Sequence, residues 1–296
     1  MRSNNALIIP TAGNLLFIGN IIKYLNIQTS DDFEIIFIVK KGTDVSQLSK
    51  YISKKLFLPY SIITQKEEGI IGAMNCALGL PYKHIILTDD DAIPSQNYVE
   101  NSVTRLEDIL QVGCIFGSVN HNFPDSTFNI LFRALNTFMC KNRLIIDDSY
   151  RYFNTAGLPA GIYKRIYINT IIKDYFPIGV SMSWKQQEIG NFRIPNYGKR
   201  GILFESYISL ALKLRGLNTF YVGGINIGHL HRDSLSRGMV NLPEIVSEIF
   251  SSPIVLSEMG FNINKHELLK YKKLIKVYPK IYRDLINNKI DQILDS

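Results

Sequence analysis

Cysteine and tryptophan are scarce in this chain, whose 296 residues include three cysteines and one tryptophan. Cys76, Cys114 and Cys140 lie far apart and form no CxxC pair. An odd number of widely spaced cysteines argues against a disulfide framework and against a thiolate zinc site. We therefore expect a reducing compartment and predict a cytoplasmic location.

Long hydrophobic runs are missing near the start of the chain. Residues 1–6 are polar and lack the basic-then-apolar order of a signal peptide. The apolar stretch Leu15–Leu25 is interrupted by Asn20 and Lys23 and is too short to span a bilayer. The sequence therefore predicts neither a secretory leader nor a membrane span there.

The overall composition is that of a globular protein, with 46% hydrophobic and 20% charged residues. The length fits one large α/β domain with an appendage, which we favour, or two smaller domains. A net charge of +7 favours anionic partners such as nucleotides, nucleic acid or a lipid surface, without choosing among them. Residues 262–296 hold eight Lys or Arg against four Asp or Glu, so much of this charge is local.

An acidic cluster follows an apolar run within residues 84–94, where Asp89, Asp90 and Asp91 precede Ala92-Ile93-Pro94. Packing cannot explain three adjacent carboxylates, because they repel one another and resist burial. A buried strand that ends in acidic side chains can hold a divalent cation beside a phosphate. The cluster predicts a metal-dependent enzyme that acts on a phosphorylated donor.

Strand and helix patterns alternate through the first part of the chain, which predicts a mainly parallel, doubly wound α/β sheet flanked by helices. The pattern becomes irregular and aromatic-rich at residues 120–176, and regular signals return from residue 178. From about residue 240 the sequence reads as a helical C-terminal extension. We predict a donor-binding half at 1–118, an acceptor-binding and catalytic half at 119–239, and the extension at 240–296.

The extension has two interpretations. Leu274, Tyr278, Ile281, Leu285 and Ile293 fall roughly on one face, which favours helices packed on the domain. The alternative is a peripheral contact with the inner membrane face, because five lysines alternate with three tyrosines. These residues are Lys270, Lys272, Lys273, Lys276, Lys280, Tyr271, Tyr278 and Tyr282.

The order of motifs resembles the family 2 glycosyltransferases of the GT-A fold, over roughly residues 6–236. Ile9-Pro10-Thr11 looks like the family's opening strand and nucleotide-contacting loop, and Gly72-Ala73-Met74-Asn75 looks like its glycine, alanine and asparagine pattern. The resemblance implies that Pro10, Thr11 and Asn75 bind the donor.

Asp89 and Asp91 match the family's DxD pair. The resemblance implies that Asp91 ligates Mn²⁺ or Mg²⁺ directly, while Asp89 reaches the metal through water or contacts the donor's ribose. Carboxylate oxygens suit such cations, which neutralise a leaving nucleoside diphosphate. Asp90 would point to the opposite side of an extended chain, so we interpret it as solvated or structural.

A fourth patch runs from Glu205 to His229. The family spacing places Glu205 at the general base and His229 at a metal ligand, with His231 as its competitor. A base is required because a sugar hydroxyl is a poor nucleophile. Trp184 could stack on the acceptor sugar, and Arg232 could help to close a loop over the diphosphate.

The clearest departure from the family is Lys40-Lys41, where many relatives carry acidic residues that include a reader of the nucleotide base. The donor base is therefore left open. The resemblance implies an inverting, metal-dependent glycosyltransferase with a nucleotide-sugar donor, a glycan, glycolipid or glycoprotein acceptor, and no nucleic-acid partner. The alternatives are a non-catalytic carbohydrate-binding protein on a degenerate scaffold, a haloacid dehalogenase-type phosphatase and a sugar nucleotidyltransferase. The last normally opens with a glycine-rich, basic loop that residues 10–14 lack.

Overall fold

A computed structural model describes residues 3–121, 153, 156–158, 170–173, 179–229, 242–274 and 280–295. Within these residues, a sheet of nine strands has the order β3-β2-β1-β4-β8-β6-β9-β5, with β7 paired to β9. The strands are β1 Asn5–Thr11, β2 Glu34–Val39, β3 Tyr60–Thr64, β4 His84–Leu87, β5 Ala92–Pro94, β6 Val112–His121, β7 Ile171–Lys173, β8 Met182–Lys185 and β9 Asn218–His229.

Ten α-helices surround or follow these strands in the described residues. They are α1 Leu15–Leu25, α2 Val45–Ile52, α3 Gly69–Leu78, α4 Tyr98–Asp108, α5 Gln186–Ile189, α6 Phe204–Lys213, α7 Leu242–Phe250, α8 Ser252–Glu258, α9 Lys265–Leu274 and α10 Lys280–Asp295. A short 3₁₀ helix occupies Gly179–Ser181.

The first four strands form the parallel part of the sheet. β1 lies between β2 and β4 and is parallel to both, and β2 is parallel to β3. Ile9 and Phe37 join a core with residues of α1, α2 and α4. The intervening Ile8 and Ile36 are also buried. These strands are continuously apolar because helices cover both faces of a parallel sheet.

The remaining strands make the sheet mixed. β8 is antiparallel to its neighbours β4 and β6, whereas β6 is parallel to β9. β5 and β7 are both antiparallel to β9. The predicted α/β class with helices around a central sheet is confirmed, and the antiparallel insertions lie in its second half.

Contacts divide the chain into two compact units. The first contains residues 1–122, 165–194 and 204–231, and the second contains 123–164, 195–203 and 232–296. Both units are discontinuous in sequence, because the chain enters the second unit three times. The three consecutive segments predicted from the sequence stay a prediction.

Helices α7 to α10 of the second unit share a core of their own that includes Ile249, Leu268 and Ile290. The helical extension predicted from the sequence is thus confirmed. Tyr271 is buried in this core, so it is not available for the membrane contact that its position among lysines indicated. Lys270 pairs with Glu267 at 2.6 Å. Peripheral membrane contact stays a prediction, and the burial of Tyr271 weakens it.

No helix in the described part of the chain is both long and apolar enough to cross a membrane.

Candidate active site

The acidic cluster lies where the winding of the sheet reverses direction. The chain proceeds from β1 outward to β2 and β3, then returns to place β4 on the other side of β1. Ligands of open α/β sheets bind outside the carboxyl ends of strands at such a reversal. Residues 10–14 follow β1 and residues 88–91 follow β4, so these two loops line the crevice that the topology defines.

Buried hydrogen bonds hold the end of β4 just before the carboxylates. The Thr88 N–H donates to the Ile8 carbonyl at 3.1 Å, which continues the pairing with β1. The fully buried Tyr98 hydroxyl donates to the Leu87 carbonyl at 2.7 Å. Burial, and secondarily the charge of Asp89, raises the pKa of Tyr98, so its hydroxyl stays protonated as a donor. The position of Asp89 therefore rests on a rigid strand end.

Asp90 lies against the loop that follows β1. The Thr11 hydroxyl donates to Asp90 Oδ2 at 2.5 Å. Burial raises the pKa of Asp90 to about 6; the bond from Thr11 opposes this rise, while the charges of Asp89 and Asp91 add to it. Of the two roles considered for Asp90, the structure places it in the structural one.

Glu205 is the second residue of α6, and its side chain is partly buried. The Gly179 N–H donates to Glu205 Oε1 at 3.0 Å. A Cβ atom added at Gly179 would come within 2.5 Å of the same oxygen, so glycine permits this close approach. The carboxylate is thereby held at a defined place beside the 3₁₀ helix.

The pKa of Glu205 is raised from 4.5 to about 7. Burial is the largest cause, and the backbone N–H groups of Glu205 and Gly179 oppose it by stabilising the charged form. The negative charge of Asp89 raises the pKa further, which places Asp89 within electrostatic reach of Glu205. A carboxylate tuned to neutral pH beside other acids is typical of an acid–base site.

The donor set fits a hard divalent cation. Asp89 and Asp91 supply carboxylate oxygens at the end of β4, and their charges also act on Asp90. A cation would offset this concentration of negative charge, which otherwise raises the pKa values of Asp90 and Glu205. Among the described side chains, no group of three or more His, Cys, Asp or Glu residues forms a complete metal site.

The strand containing His229 passes beside the acidic loop. The backbone of His229 is the register partner of Ala92, the residue after Asp91, and of His121 on β6. This register places the backbone of His229 close to the acidic loop, but its side chain lies outside the described part of the chain. His231 and Arg232 also lie outside it, so their predicted roles stay predictions.

Asn75 holds a loop instead of facing an open crevice. Its side-chain oxygen accepts from the Ile194 N–H at 2.9 Å, and its amide donates to the Ile194 carbonyl at 3.0 Å. The neighbouring Arg193 forms an ion pair with Glu67 at 2.6 Å. Because both ends of the amide are engaged, we assign Asn75 to positioning the segment around residue 194. Its predicted contact with the donor stays a prediction.

Replacing Asn75 with alanine is expected to destabilise the protein by about 1–3 kcal/mol, because the buried Ile194 peptide would lose partners at both its N–H and its carbonyl. The free energy of unfolding, measured by urea titration, tests this. Asn191→Ala, at an exposed position of the same loop, is the matched control. Equal losses in the two variants would contradict the assigned role of Asn75.

Trp184 is the clearest correction to the predicted site. It is fully buried in β8, and its indole N–H donates to the Gln186 side chain at 2.7 Å. No face of the indole is exposed for a sugar to stack on, so we do not place Trp184 in the acceptor site. Trp184 is a core residue, and tryptophans are highly buried on average.

Pro10 lies near the carboxyl end of β1, in register with Ile38 of β2. It is partly exposed at the sheet edge that the two loops line. This placement supports the predicted donor contact of Pro10, which stays a prediction.

Two residues of the site region, Tyr98 and Gly179, are not singled out by the sequence. Tyr98 supports β4 from the start of α4, and Gly179 contacts the base candidate from 26 residues away in the chain. A glycine can indicate a close approach of another group, but its partner cannot be read from one sequence.

No protein-family description matches the chain, and no curated protein matches it significantly in sequence. Among solved structures, it is similar to the mannosyltransferase PcManGT from Pyrobaculum calidifontis in complex with GDP-Man and Mn²⁺. The identity is 14%, the match covers 99% of this chain and 88% of that chain, and the TM-score is 0.54.

A second similar structure is S. aureus TarS in complex with UDP-GlcNAc, with 11% identity, coverage of 98% of this chain and 71% of that chain, and a TM-score of 0.52. A mycobacterial protein matches with 13% identity, coverage of 85% and 75%, and a TM-score of 0.52. At such identities the likeness shows the fold alone. The chain therefore has a fold found in glycosyltransferase structures, while membership of family 2 stays a prediction.

Proposed function

We propose that the protein is a metal-dependent, inverting glycosyltransferase that moves a sugar from a nucleotide-sugar donor to an acceptor hydroxyl. The observation that carries the proposal is Glu205, held by the Gly179 N–H, whose pKa burial and the charge of Asp89 at the end of β4 raise to about 7. The fold supports it, because PcManGT and TarS were solved with GDP-Man and UDP-GlcNAc respectively.

Glu205 is the proposed general base. Its ionised carboxylate accepts the proton of the acceptor hydroxyl while that oxygen attacks the anomeric carbon of the donor. The bond from the Gly179 N–H fixes one carboxylate oxygen, so that Glu205 Oε2 is the atom proposed to receive the proton. Attack in line with the leaving diphosphate inverts the anomeric centre through an oxocarbenium-like transition state.

Asp89 and Asp91 are the residues proposed to hold Mn²⁺ or Mg²⁺, with His229 as the third protein ligand. When bound, such a cation neutralises charge on the departing nucleoside diphosphate. Arg232 is proposed to pair with the same diphosphate, and Pro10 to contact the donor nucleotide. The nucleotide-sugar screen described below decides which cation, which sugar and which donor base the protein uses.

The alternative functions have less support. The fold of the chain is similar to that of glycosyltransferase structures, and no structural observation in the described part of the chain favours a haloacid dehalogenase-type phosphatase. A non-catalytic carbohydrate-binding protein would not require a carboxylate whose pKa burial and the charge of Asp89 raise to about 7. We therefore retain the transferase as the one proposed function.

A screen of nucleotide sugars for donor hydrolysis tests this proposal. The parent protein is incubated with each donor in the presence of Mn²⁺, Mg²⁺ or a chelator. Hydrolysis of a nucleotide sugar that depends on the added cation is the expected result. Absence of both hydrolysis and nucleotide binding across the screen would contradict the proposal.

The activity is expected to increase with pH through about pH 7. The pKa of Glu205 in the folded protein lies above its ordinary value, so the carboxylate is ionised above about 7 and protonated below it. Because only the ionised form accepts a proton, kcat/KM should fall about tenfold per pH unit below the pKa and level off above it. A pH–rate profile measures this, with nucleotide affinity followed at each pH as the control. A profile that is flat across pH 7 would contradict Glu205 as the base.

A further inference from the structure

Thr11 and Asp90 connect the two loops that line the crevice. Thr11 ends β1, Asp90 follows β4, and 79 positions separate them in the chain. Their side chains meet at 2.5 Å, between Thr11 Oγ1 and Asp90 Oδ2. The contact therefore spans the point where the winding of the sheet reverses, which is where the proposed donor would enter.

The hydroxyl of Thr11 both donates and accepts in this arrangement. It accepts from the Gly13 N–H at 3.0 Å and donates its only proton to Asp90. Gly13 has a φ of 83°, and a Cβ atom there would come within 2.6 Å of Thr43 Cγ2. Asn14 then caps α1 by accepting from the Leu16 N–H at 3.0 Å. The loop after β1 is thus held at several points, and its bond to the acidic loop runs from Thr11 to Asp90.

Asp90 is also distinguished from its two neighbours. Its carboxylate accepts a hydrogen bond from Thr11 at the end of β1, whereas the charge of Asp89 raises the pKa values of Glu205 and Tyr98. Asp90 and Asp91 lie in a turn in which the Ala92 N–H donates to the Asp89 carbonyl at 3.2 Å. Binding Asp90 to Thr11 therefore fixes the turn that carries Asp89 and Asp91 against the end of β1. The middle carboxylate can therefore set the orientation of the outer two.

We propose that Thr11 and Asp90 are a pair of positioning residues that preset the width of the nucleotide crevice and the orientation of Asp89 and Asp91. The pair acts on the donor through the two loops that it joins, and not by touching the donor. This inference rests on the proposed function. It assigns Thr11 a role that differs from the direct donor contact predicted from the sequence.

A double-mutant cycle tests the contact itself. Thr11→Val, Asp90→Ala and the double variant are compared with the parent by urea unfolding at neutral pH. Each single change is expected to lower the folding equilibrium constant about tenfold, and the double variant to lose little more than either one. Thr104→Val and Asp108→Ala, at exposed positions of α4, are the matched controls. If the losses of folding free energy in the two single variants add up in the double variant, the proposed coupling between Thr11 and Asp90 is wrong.

Nucleotide binding tests the positioning role. Titration of UDP and GDP in the presence of Mn²⁺ is expected to show affinity about tenfold weaker in Thr11→Val and in Asp90→Ala. Thr11→Ser and Asp90→Asn, which keep a donor and an acceptor, are expected to regain most of this loss. Thr11→Ser failing to do so would overturn the inference, as would affinity lost in Thr11→Val but not in Asp90→Ala, since Thr11 would then contact the nucleotide directly.

The outcomes also separate this inference from the proposed function. A parent protein that binds no nucleotide would overturn both, even if the unfolding measurements showed coupling. A parent that binds nucleotide, with variants that bind equally well, would overturn only the positioning pair.

Discussion

Glu205→Gln is expected to reduce sugar transfer by about 10²–10⁴-fold, the contribution of a positioned general base. Glutamine keeps the size of the side chain and an oxygen that can accept from the Gly179 N–H, so the loss isolates the missing basicity. We expect donor affinity to remain close to that of the parent. The measurement is kcat for transfer to an identified acceptor, together with nucleotide affinity.

The same variant offers a control on folding. Burial raises the pKa of Glu205 from 4.5 to about 7, so the folded state loses stability as the pH rises from about 4.5 to 7, and the loss is complete above 7. A neutral glutamine should therefore be at least as stable as the parent at pH 8. This advantage should disappear below about pH 4.5, where glutamate is neutral in both the folded and the unfolded state. Glu188→Gln, at an exposed position of α5, is the matched control. Transfer at the parent rate by Glu205→Gln would exclude this residue as the base.

Asp91→Ala is expected to reduce donor hydrolysis by about 10³-fold at a fixed Mn²⁺ concentration, since metal stabilisation of a leaving group is worth several kcal/mol and each 1.4 kcal/mol is tenfold. The half-saturating Mn²⁺ concentration should increase in the same variant. Titration of activity against Mn²⁺ and against Mg²⁺ measures both effects.

Asp108→Ala, an exposed acid on α4, provides the comparison for the metal experiment. Asp89→Ala is expected to weaken metal activation less than Asp91→Ala does, if Asp89 reaches the cation through water. Activity that is unaffected by a chelator in the parent, or unchanged in Asp91→Ala, would reject the metal assignment.

The two carboxylate predictions differ in how far one sequence could support them. The three aspartates were visible as a physical anomaly, because an apolar strand that ends in like charges has no packing explanation. In the sequence, Glu205 is not distinguishable from an ordinary acidic residue in the first turn of a helix, where the helix dipole favours negative charge. Its distinction is a raised pKa, which arises from burial and from the charge of Asp89 and which the Gly179 N–H opposes. Asp89 and Gly179 are both far from Glu205 in the sequence.

Asn75 and Trp184 show where motif reasoning exceeds the information in a sequence. Both are polar or aromatic residues near the predicted site, and both were given ligand contacts. In the structure, the amide of Asn75 is bonded to a peptide 119 positions away, and the indole of Trp184 is fully buried. A side chain's partner depends on which distant segment packs beside it, and no local spacing encodes that.

The sequence by itself determined the α/β class, the parallel strands β1 to β4 and the acidic end of β4. These features follow from apolar periodicity and from the order of strands and helices, both of which are local. Only the tertiary structure decided that β8 lies antiparallel between β4 and β6, that Asp90 bonds to Thr11, and that Glu205 lies within electrostatic reach of Asp89. Each of these requires segments remote in the chain to meet, and the free energy that brings them together comes from burying the whole core, not from any one motif.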